Sequence, residues 1–578
     1  MKNNVLKNIF SLLDLKSRGV FFYLCFLMVI STIAEILGLS LILPFIYSIT
    51  GQNIFDRYES LQGINQILGY PNNESIILIS LFSILCIYLI KNLFLTYYLW
   101  QEGKFIFDTQ ENISSRLFGE YLIKKFSFFL SRNSADFISR IKSDIGYASN
   151  AINSLMTLIS ESLIVVGISL ALFFYNSFAF FIIIFTLSIL SILYYLIVQK
   201  KLGKLSKIRM ENETLRIKRL QEGFGGIKEI KVFNLEKFFL EKYFYTVNTL
   251  AKVYKFTYVI QRLPKLYFET MAVIAIVLVT YFLAKNTNNL VEILPLLGIY
   301  AGAAFKLLPS ANRILNTFNV FKFSQNSVSV ILEELNEEQS VLIDNSSKKI
   351  TNKVNKIKFQ NVSFKYENRE KYLFRNINFE IEAGKKIFIT GKTGAGKSTL
   401  INLILGLLKT SSGEILIDKK NISEIQKKWL SEIGYVPQNV FLFDDSIKEN
   451  IILSKKKEPI DVEWLNKVLQ ISQCNEFIDK LPQTLETKVG EKGYNLSGGQ
   501  KQRIGIARAI YRKPSILIFD ESTNSLDNLI EKQVLEAIFR NLKNTSLIMI
   551  SHKEELINYF DKNIQINDDE IKINNISK

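Results

Sequence analysis

The sequence predicts a multidomain α plus α/β protein: a six-helix transmembrane domain with long intracellular helices, followed by a phosphate-loop α/β nucleotide-binding domain. Three observations carry this. Hydrophobic residues make up 48% of the 578, and they concentrate in long runs before about residue 310. Gly391-Lys392-Thr393-Gly394-Ala395-Gly396-Lys397-Ser398 matches the phosphate-binding loop at every position, between the apolar Ile387-Phe388-Ile389 and the helix-like stretch from Leu400 to Leu408. Two acids, Asp520-Glu521, then end an apolar strand, and the single histidine, His552, follows another, Leu547-Ile548-Met549-Ile550.

The first half reads as six membrane crossings, near 20–48, 75–100, 151–175, 178–199, 267–284 and 291–312. Each approaches or exceeds the roughly 20 apolar residues a span needs, and only single charges interrupt them. No short hydrophobic stretch with a small-residue cleavage site opens the chain, so the first run is expected to be a retained span. Lys2, Lys7, Lys16 and Arg18 precede it, and Lys124, Lys125, Arg132, Arg140 and Lys142 fill the stretch between the second and third spans. The bias of basic residues toward the cytoplasm then puts both chain ends inside.

Between spans two and three, and between four and five, the stretches are too long for turns and have amphipathic helical patterning, so they are expected to extend the spans as intracellular helices. Residues 326–355 end in a polar run, with Asn345-Ser346-Ser347-Lys348-Lys349, and read as a linker between a membrane domain over 1–325 and a nucleotide-binding domain over 356–578. The formal charge of +17 comes without a nucleic-acid recognition motif, and the basic cytoplasmic stretches account for much of it. Cys25, Cys86 and Cys474 have no metal-ligand spacing and no disulfide pattern.

The second half is read from its chemistry. In the loop from Gly391 to Thr399, glycines let backbone amides wrap phosphates, Lys397 is placed to reach the β- and γ-phosphates of ATP, and the Ser398 hydroxyl suits Mg²⁺. Asp520 and Glu521 leave the C-terminal end of a buried strand, where an open α/β sheet builds its ligand site. The first acid suits Mg²⁺; the second suits the attacking water.

At this point the chain resembles the ATP-binding cassette (ABC) proteins, with a RecA-like ATPase domain. The most specific likeness is Leu496-Ser497-Gly498-Gly499-Gln500, similar to the family's signature loop. The resemblance implies that Ser497, Gly498, Gly499 and Gln500 serve the ATP of an opposing subunit, so that two cassettes close head to tail. It further implies that Tyr366 stacks on adenine and Gln438 senses Mg²⁺. Asp527, in Ser525-Leu526-Asp527, belongs to a loop that crosses the dimer, and His552 contacts the γ-phosphate. The implied ATP-binding set includes Gly391, Thr393, Gly394, Ala395, Gly396, Lys397, Ser398, Thr399 and Asp520; the implied Mg²⁺ set is Ser398, Gln438 and Asp520; the catalytic set is Glu521, His552, Gln438 and Lys397. Segments around 136–140 and 222–228 are similar to the two coupling regions of exporter-type half-transporters, and 487–493 is similar to the exporter segment that touches the coupling helices.

Charges inside spans carry the reading of the cargo, because an ionisable group there is costly and usually faces a partner or a wet cavity. Lys91 interrupts the second span, Lys265 opens the fifth, and Lys306 and Arg313 lie near the inner end of the sixth. For Lys265 and Arg313, snorkelling to the headgroups stays open beside a cavity role. Lys306 and Arg313, seven apart, share a helix face, and such a line of cations suits an anionic group such as pyrophosphate. Through the stretches 306–314 and 264–269 and the early Glu35 before Pro44, the chain resembles the PglK-type flippases of lipid-linked oligosaccharides, which implies a bacterial inner-membrane homodimer that moves an undecaprenyl-pyrophosphate glycan outward for protein glycosylation. The stretch 58–68, with Leu61, Ile64 and Leu68 at helical spacing, reads either as an interfacial helix receiving the lipid tail or as a plain membrane-resting loop. An exporter of another amphipathic cargo, such as a lipid A precursor or a peptide, stays as the alternative.

Overall fold

The computed structural model describes residues 5–40, 73–175, 177–286, 290–336, 355–366, 369–453, 459–567 and 570–576. Residues 1–124 and 131–341 form one compact unit, and residues 125–130 with 342–578 form a second. The tail-binding expectation at Leu61, Ile64 and Leu68 falls outside the described residues.

The first unit is helical: α1 (Val5–Leu12), α2 (Leu15–Ser40), α3 (Asn73–Ile123), α5 (Ser134–Ser139), α6 (Ile145–Tyr175), α7 (Ser177–Gly225), α8 (Ile227–Val232), α9 (Glu236–Asn286) and α10 (Leu290–Asn336). The short α4 (Phe126–Leu130) belongs to the second unit, so the expected membrane domain over 1–325 gives up this one turn. Among the described residues, three helical stretches are long and apolar enough to cross a membrane by length and composition: Leu15–Gly38, Ser75–Ile123 and Ser134–Phe174. The stretches 178–199, 267–284 and 291–312 lie inside α7, α9 and α10. Those three helices run 47 to 51 residues, well beyond a bilayer; the amphipathic patterning between spans four and five predicted this for α7 and α9, whereas the length of α10 was not expected.

The joint between α1 and α2 is built locally. Asp14 accepts the Ser17 amide at 2.8 Å, and Arg18 Nε donates to the carbonyls of Phe10 and Leu13 at 3.0 and 3.1 Å, satisfying the open end of α1. Beyond the spans the helices are held by charge. Arg209 of α7 is fully buried; its guanidinium donates to Ser327 Oγ of α10 at 2.8 Å, lies 3.6 Å from Asp144 and stacks 3.5 Å over the Tyr147 ring. Asp144 also accepts from Ser327 at 3.0 Å and from Arg140 at 2.7 Å, and it closes a π-helical turn, Arg140–Asp144, that joins α5 to α6.

The linker expected over 326–355 is corrected at its start. Residues 326–336 continue α10, with Ser327, Val328, Ile331 and Leu335 buried. Their i, i+3, i+4 spacing gives the apolar face, and the polar residues between them are only its exposed side.

Among the described residues of the second unit, ten strands form two sheets. The antiparallel one has the order β2 (Phe374–Glu382), β1 (Lys356–Phe364), β4 (Ser412–Ile417), β5 (Lys420–Asn421). The other has the order β10 (Glu570–Asn575), β9 (Lys562–Asn567), β3 (Lys386–Gly391), β8 (Ser546–Ile550), β7 (Ile516–Asp520), β6 (Ile433–Val436), parallel from β9 to β6. Its central strands are buried on both faces: Phe388, Leu517, Phe519, Leu547 and Met549 enter one core, and their neighbours Ile387, Ile389, Ile516, Ile518, Ile548 and Ile550 enter the other. Helices α11 (Lys397–Ile404), α12 (Ile422–Ser431), α13 (Ile447–Ile452), α14 (Val462–Ile471), α15 (Asn475–Ile478), α16 (Gly498–Tyr511) and α17 (Asn528–Asn541) complete the unit. Trp429, fully buried, donates from Nε1 to the Ile404 carbonyl at 2.7 Å and so fixes the end of α11.

Candidate functional site

The site gathers at the C-terminal ends of four adjacent parallel strands. From β3 the chain enters the phosphate loop and α11; from β8 it reaches His552, from β7 Asp520 and Glu521, and from β6 Gln438. The loop needs its glycines for two separable reasons. Gly394 and Gly396 have φ of 86° and 99°, in the left-handed region. A Cβ on Gly396 would also come within 2.9 Å of the Phe374 ring. Lys397 is 6% exposed, and its Nζ donates to the carbonyls of Gly391 at 2.9 Å and Lys392 at 3.3 Å, at the mouth of the amide cradle. Thr399, two residues on, shares a 2.8 Å hydrogen bond with the hydroxyl of Tyr366, which ties the aromatic expected at adenine to the start of α11.

Asp520 lies 3.5 Å from the Ser398 hydroxyl and accepts from Tyr435 at 3.2 Å. Burial pushes its carboxyl up, the Glu521 charge beside it adds to that, and the Tyr435 hydrogen bond works the other way. Burial and the same contact raise the Tyr435 phenol. Ser398 and Asp520 together offer the two oxygen ligands with which Mg²⁺ is usually held beside substrate phosphates, so the donor set fits that ion, and the left-handed glycine cradle with a buried lysine fits the phosphates of ATP.

Glu521 is gripped from both sides: Gln438 Nε2 donates to Oε2 at 2.9 Å, and His552 Nε2 lies 3.1 Å from Oε1, with Lys397 Nζ at 3.9 Å. Its backbone has φ of 49°, a left-handed conformation in a residue that has a Cβ. Such strain persists where the surroundings over-determine it, and here the Glu521 amide is also bonded to the Ile550 carbonyl at 3.0 Å. The structure thus brings Lys397, Ser398, Gln438, Asp520, Glu521 and His552 into one cluster.

Ser497, Gly498, Gly499 and Gln500 do not join it through any hydrogen bond among the described residues. Ser497 and Gln500 form a capping box at the start of α16: Ser497 Oγ accepts the Gln500 amide at 3.3 Å, and Gln500 Oε1 accepts the Ser497 amide at 2.8 Å. Ser525 packs on Gly499, whose Cβ would stand 3.0 Å from the Ser525 carbonyl oxygen, and its amide donates to Gln502 at 3.1 Å. Asp527 caps α17 by position, next to this contact. The sequence reading assigned no role to Tyr435, although it opens Tyr435-Val436-Pro437-Gln438; an aromatic three residues before the glutamine was the available signal.

The charged residues of the first unit are not a bare line of cations. Lys91 Nζ of α3 lies 3.2 Å from Glu35 Oε1, and Lys306 Nζ of α10 lies 2.8 Å from Glu35 Oε2, so one carboxylate of α2 holds two ammonium groups. Lys91 also stands 4.4 Å over the Tyr88 ring. Arg313 pairs with Glu161 of α6 at 2.6 Å. Lys265 is exposed, its acidic partner is Glu269 on its own helix at 3.8 Å, and it takes no part in the Glu35 cluster. The physical reason is the one that marked these positions: a charge in an apolar setting recruits a counter-charge. Glu35 had entered the sequence reading only as part of a resemblance.

Comparison with known proteins agrees with both units. The description "ABC transporter" matches residues 374–524, and "ABC transporter transmembrane region" matches residues 21–291. Over 453 residues the chain is 32% identical to the uncharacterized ABC transporter ATP-binding protein YfiB of Bacillus subtilis (strain 168), across 75% of this chain and 74% of that one. Over 474 residues it is 28% identical to the ATP-dependent lipid A-core flippase of Escherichia coli (strain K12), across 81% and 80%. A solved bacterial Atm1-family ABC exporter with ATP bound shares the fold, with a TM-score of 0.78 at 20% identity over 95% of this chain and 94% of that one. The chain belongs to the ABC transporter family, as an exporter-type half-transporter in which an ATPase domain is coupled to transport through membrane-spanning helices.

Proposed function

We propose that the chain works as a homodimer in a bacterial inner membrane, with both termini cytoplasmic, and hydrolyses ATP to flip a phosphate-bearing glycolipid outward, its cargo being an undecaprenyl-pyrophosphate glycan. The supporting observation is the Glu35 cluster. Two buried or half-buried lysines share one carboxylate, which leaves an excess positive charge where hydrocarbon surrounds the helices, and an anionic headgroup is a natural counter-ion. A second reading, a lipid A precursor as cargo, is favoured by the relatives named lipid A-core flippases in Escherichia coli and in Photobacterium profundum.

Hydrolysis follows from the clustered side chains. Lys397 and the loop amides hold the β- and γ-phosphates, and Tyr366 holds adenine. Ser398, Asp520 and Gln438 stand on the Mg²⁺ side, and the ion, when bound, offsets charge on the phosphoryl group. Glu521 orients the attacking water and takes its proton, with His552 and Gln438 fixing its two oxygens. Ser497, Gly498, Gly499 and Gln500, which stand apart from this cluster, complete the partner's site, and Asp527 lies at the crossing between the two. The test is ATP-dependent translocation in proteoliposomes of undecaprenyl-pyrophosphate glycan and, separately, of a lipid A precursor. Movement of the first supports the main reading; movement of the second alone transfers the assignment to it; and movement of neither by an ATPase-active protein rejects both.

A further inference from the structure

Lys553 follows the histidine of the catalytic cluster, yet its side chain leaves the cluster. Its Nζ donates to Glu531 Oε2 at 2.6 Å and to Asn528 Oδ1 at 2.9 Å, both in the first turn of α17. Glu531 is 2% exposed, and its other oxygen, Oε1, has no hydrogen-bond partner among the described residues, so Lys553 carries the neutralisation of a buried carboxylate. His552 itself is half exposed at the exit of β8, where its hydrogen bond is to Glu521. Ser551, one residue before, is buried, and its hydroxyl accepts the Lys553 amide at 3.2 Å. The backbone that presents the imidazole is thereby clamped between the strand end and α17.

The first turn of α17 is in turn the continuation of loop 525–527. Ser525 there is bonded to Gln502 and packed on Gly499, at the start of α16. A continuous run of contacts therefore goes from the signature loop through Ser525 and the first turn of α17 to Lys553, His552 and Glu521. We propose that Lys553 is a positioning residue for ATP hydrolysis: its strap to Asn528 and Glu531 sets the place of His552 against Glu521 and makes that place depend on loop 525–527. This rests on the reading of Glu521 and His552 as the hydrolytic pair.

The experiment is steady-state ATP hydrolysis by the full-length detergent-solubilised protein. Lys553→Met keeps length and apolar stem but loses the charge; its kcat is expected to fall on the order of tenfold with KM for ATP within about twofold, because the phosphate cradle is untouched. Lys553→Arg, which retains the charge and the donors, is expected to recover most of the rate, and a purely structural loss of stability would not produce that split. Glu531→Gln is expected to lower kcat as well, and the double variant Lys553→Met/Glu531→Gln to be no slower than the slower single one. A Lys553→Met enzyme with wild-type kcat overturns the proposal, as does an Arg variant as slow as Met. If Lys553→Met is not recovered folded, Glu531→Gln decides: reduced kcat with retained KM supports the strap, and unchanged kcat rejects it. Glu521→Gln and His552→Ala run alongside. Should they hydrolyse normally, the pair reading falls; should they be inactive while Lys553→Met is normal, only the strap falls.

Discussion

Glu521 and Asp520 are neighbours with opposite environments, and their substitutions should behave differently. Glu521 is held by Gln438 and His552 rather than by the fold's core, so Glu521→Gln is expected to bind ATP while hydrolysis falls by about 10²–10⁴, a general base being lost. Nucleotide-binding titration beside a phosphate-release assay checks this, and near-normal turnover would remove Glu521 from its role. Asp520 is buried, and its carboxyl is raised above the ordinary value. Between the ordinary carboxylate range and the raised value, the folded state holds a proton that the unfolded chain has already lost. The stabilising contribution is therefore complete below the ordinary carboxylate range and disappears as pH climbs through the raised value. Asp520→Asn removes that titration and is expected to stabilise the nucleotide-free protein by about 1 kcal/mol at neutral pH while weakening the stabilisation that ATP with Mg²⁺ adds. Thermal unfolding with and without ATP and Mg²⁺ measures both; a lower midpoint for the nucleotide-free variant would contradict the burial argument.

At the scale of elements, the node of Arg209, Asp144 and Ser327 joins α7, the π turn before α6, and α10. Asp144→Leu leaves the fully buried Arg209 guanidinium without its carboxylate and is expected to cost about 3 kcal/mol, seen as a lower unfolding midpoint in detergent. An unchanged midpoint would mean that Ser327 and the Tyr147 ring suffice. By contrast Asp461, the N-cap of α14, accepts the Trp464 amide at 2.9 Å and is exposed. Asp461→Ala should cost about 1 kcal/mol of stability and leave ATP hydrolysis unaltered, because α14 supplies no side chain to the cluster. The elements that the sequence marked well are those with strong local patterns: the apolar strands before the phosphate loop, the paired acids and His552, and the long apolar helices. Residues 326–336 were misplaced in the linker because Asn326, Ser327 and Ser329 masked the spacing of Val328, Ile331 and Leu335.

For the whole molecule, the expected consequence of the Glu35 cluster is a separation of hydrolysis from transport. Lys91→Ala with Lys306→Ala should abolish lipid translocation in proteoliposomes while ATP hydrolysis persists within about threefold, since neither lysine touches the ATPase cluster. Full transport by that double variant would take the headgroup away from these residues. The two-module plan and the side chains that gather beside the phosphate loop were legible in the chain because the phosphate loop, the paired acids and the spans are short contiguous patterns, each dictated by backbone geometry or hydrophobic length. Partnership was not legible. That Glu35 serves two lysines 56 and 271 positions away, that Tyr435 holds Asp520, and that Lys553 reaches back to Glu531 are decisions of tertiary packing. A buried charge must find its counter-charge in space, and separation along the sequence carries no record of which one it finds.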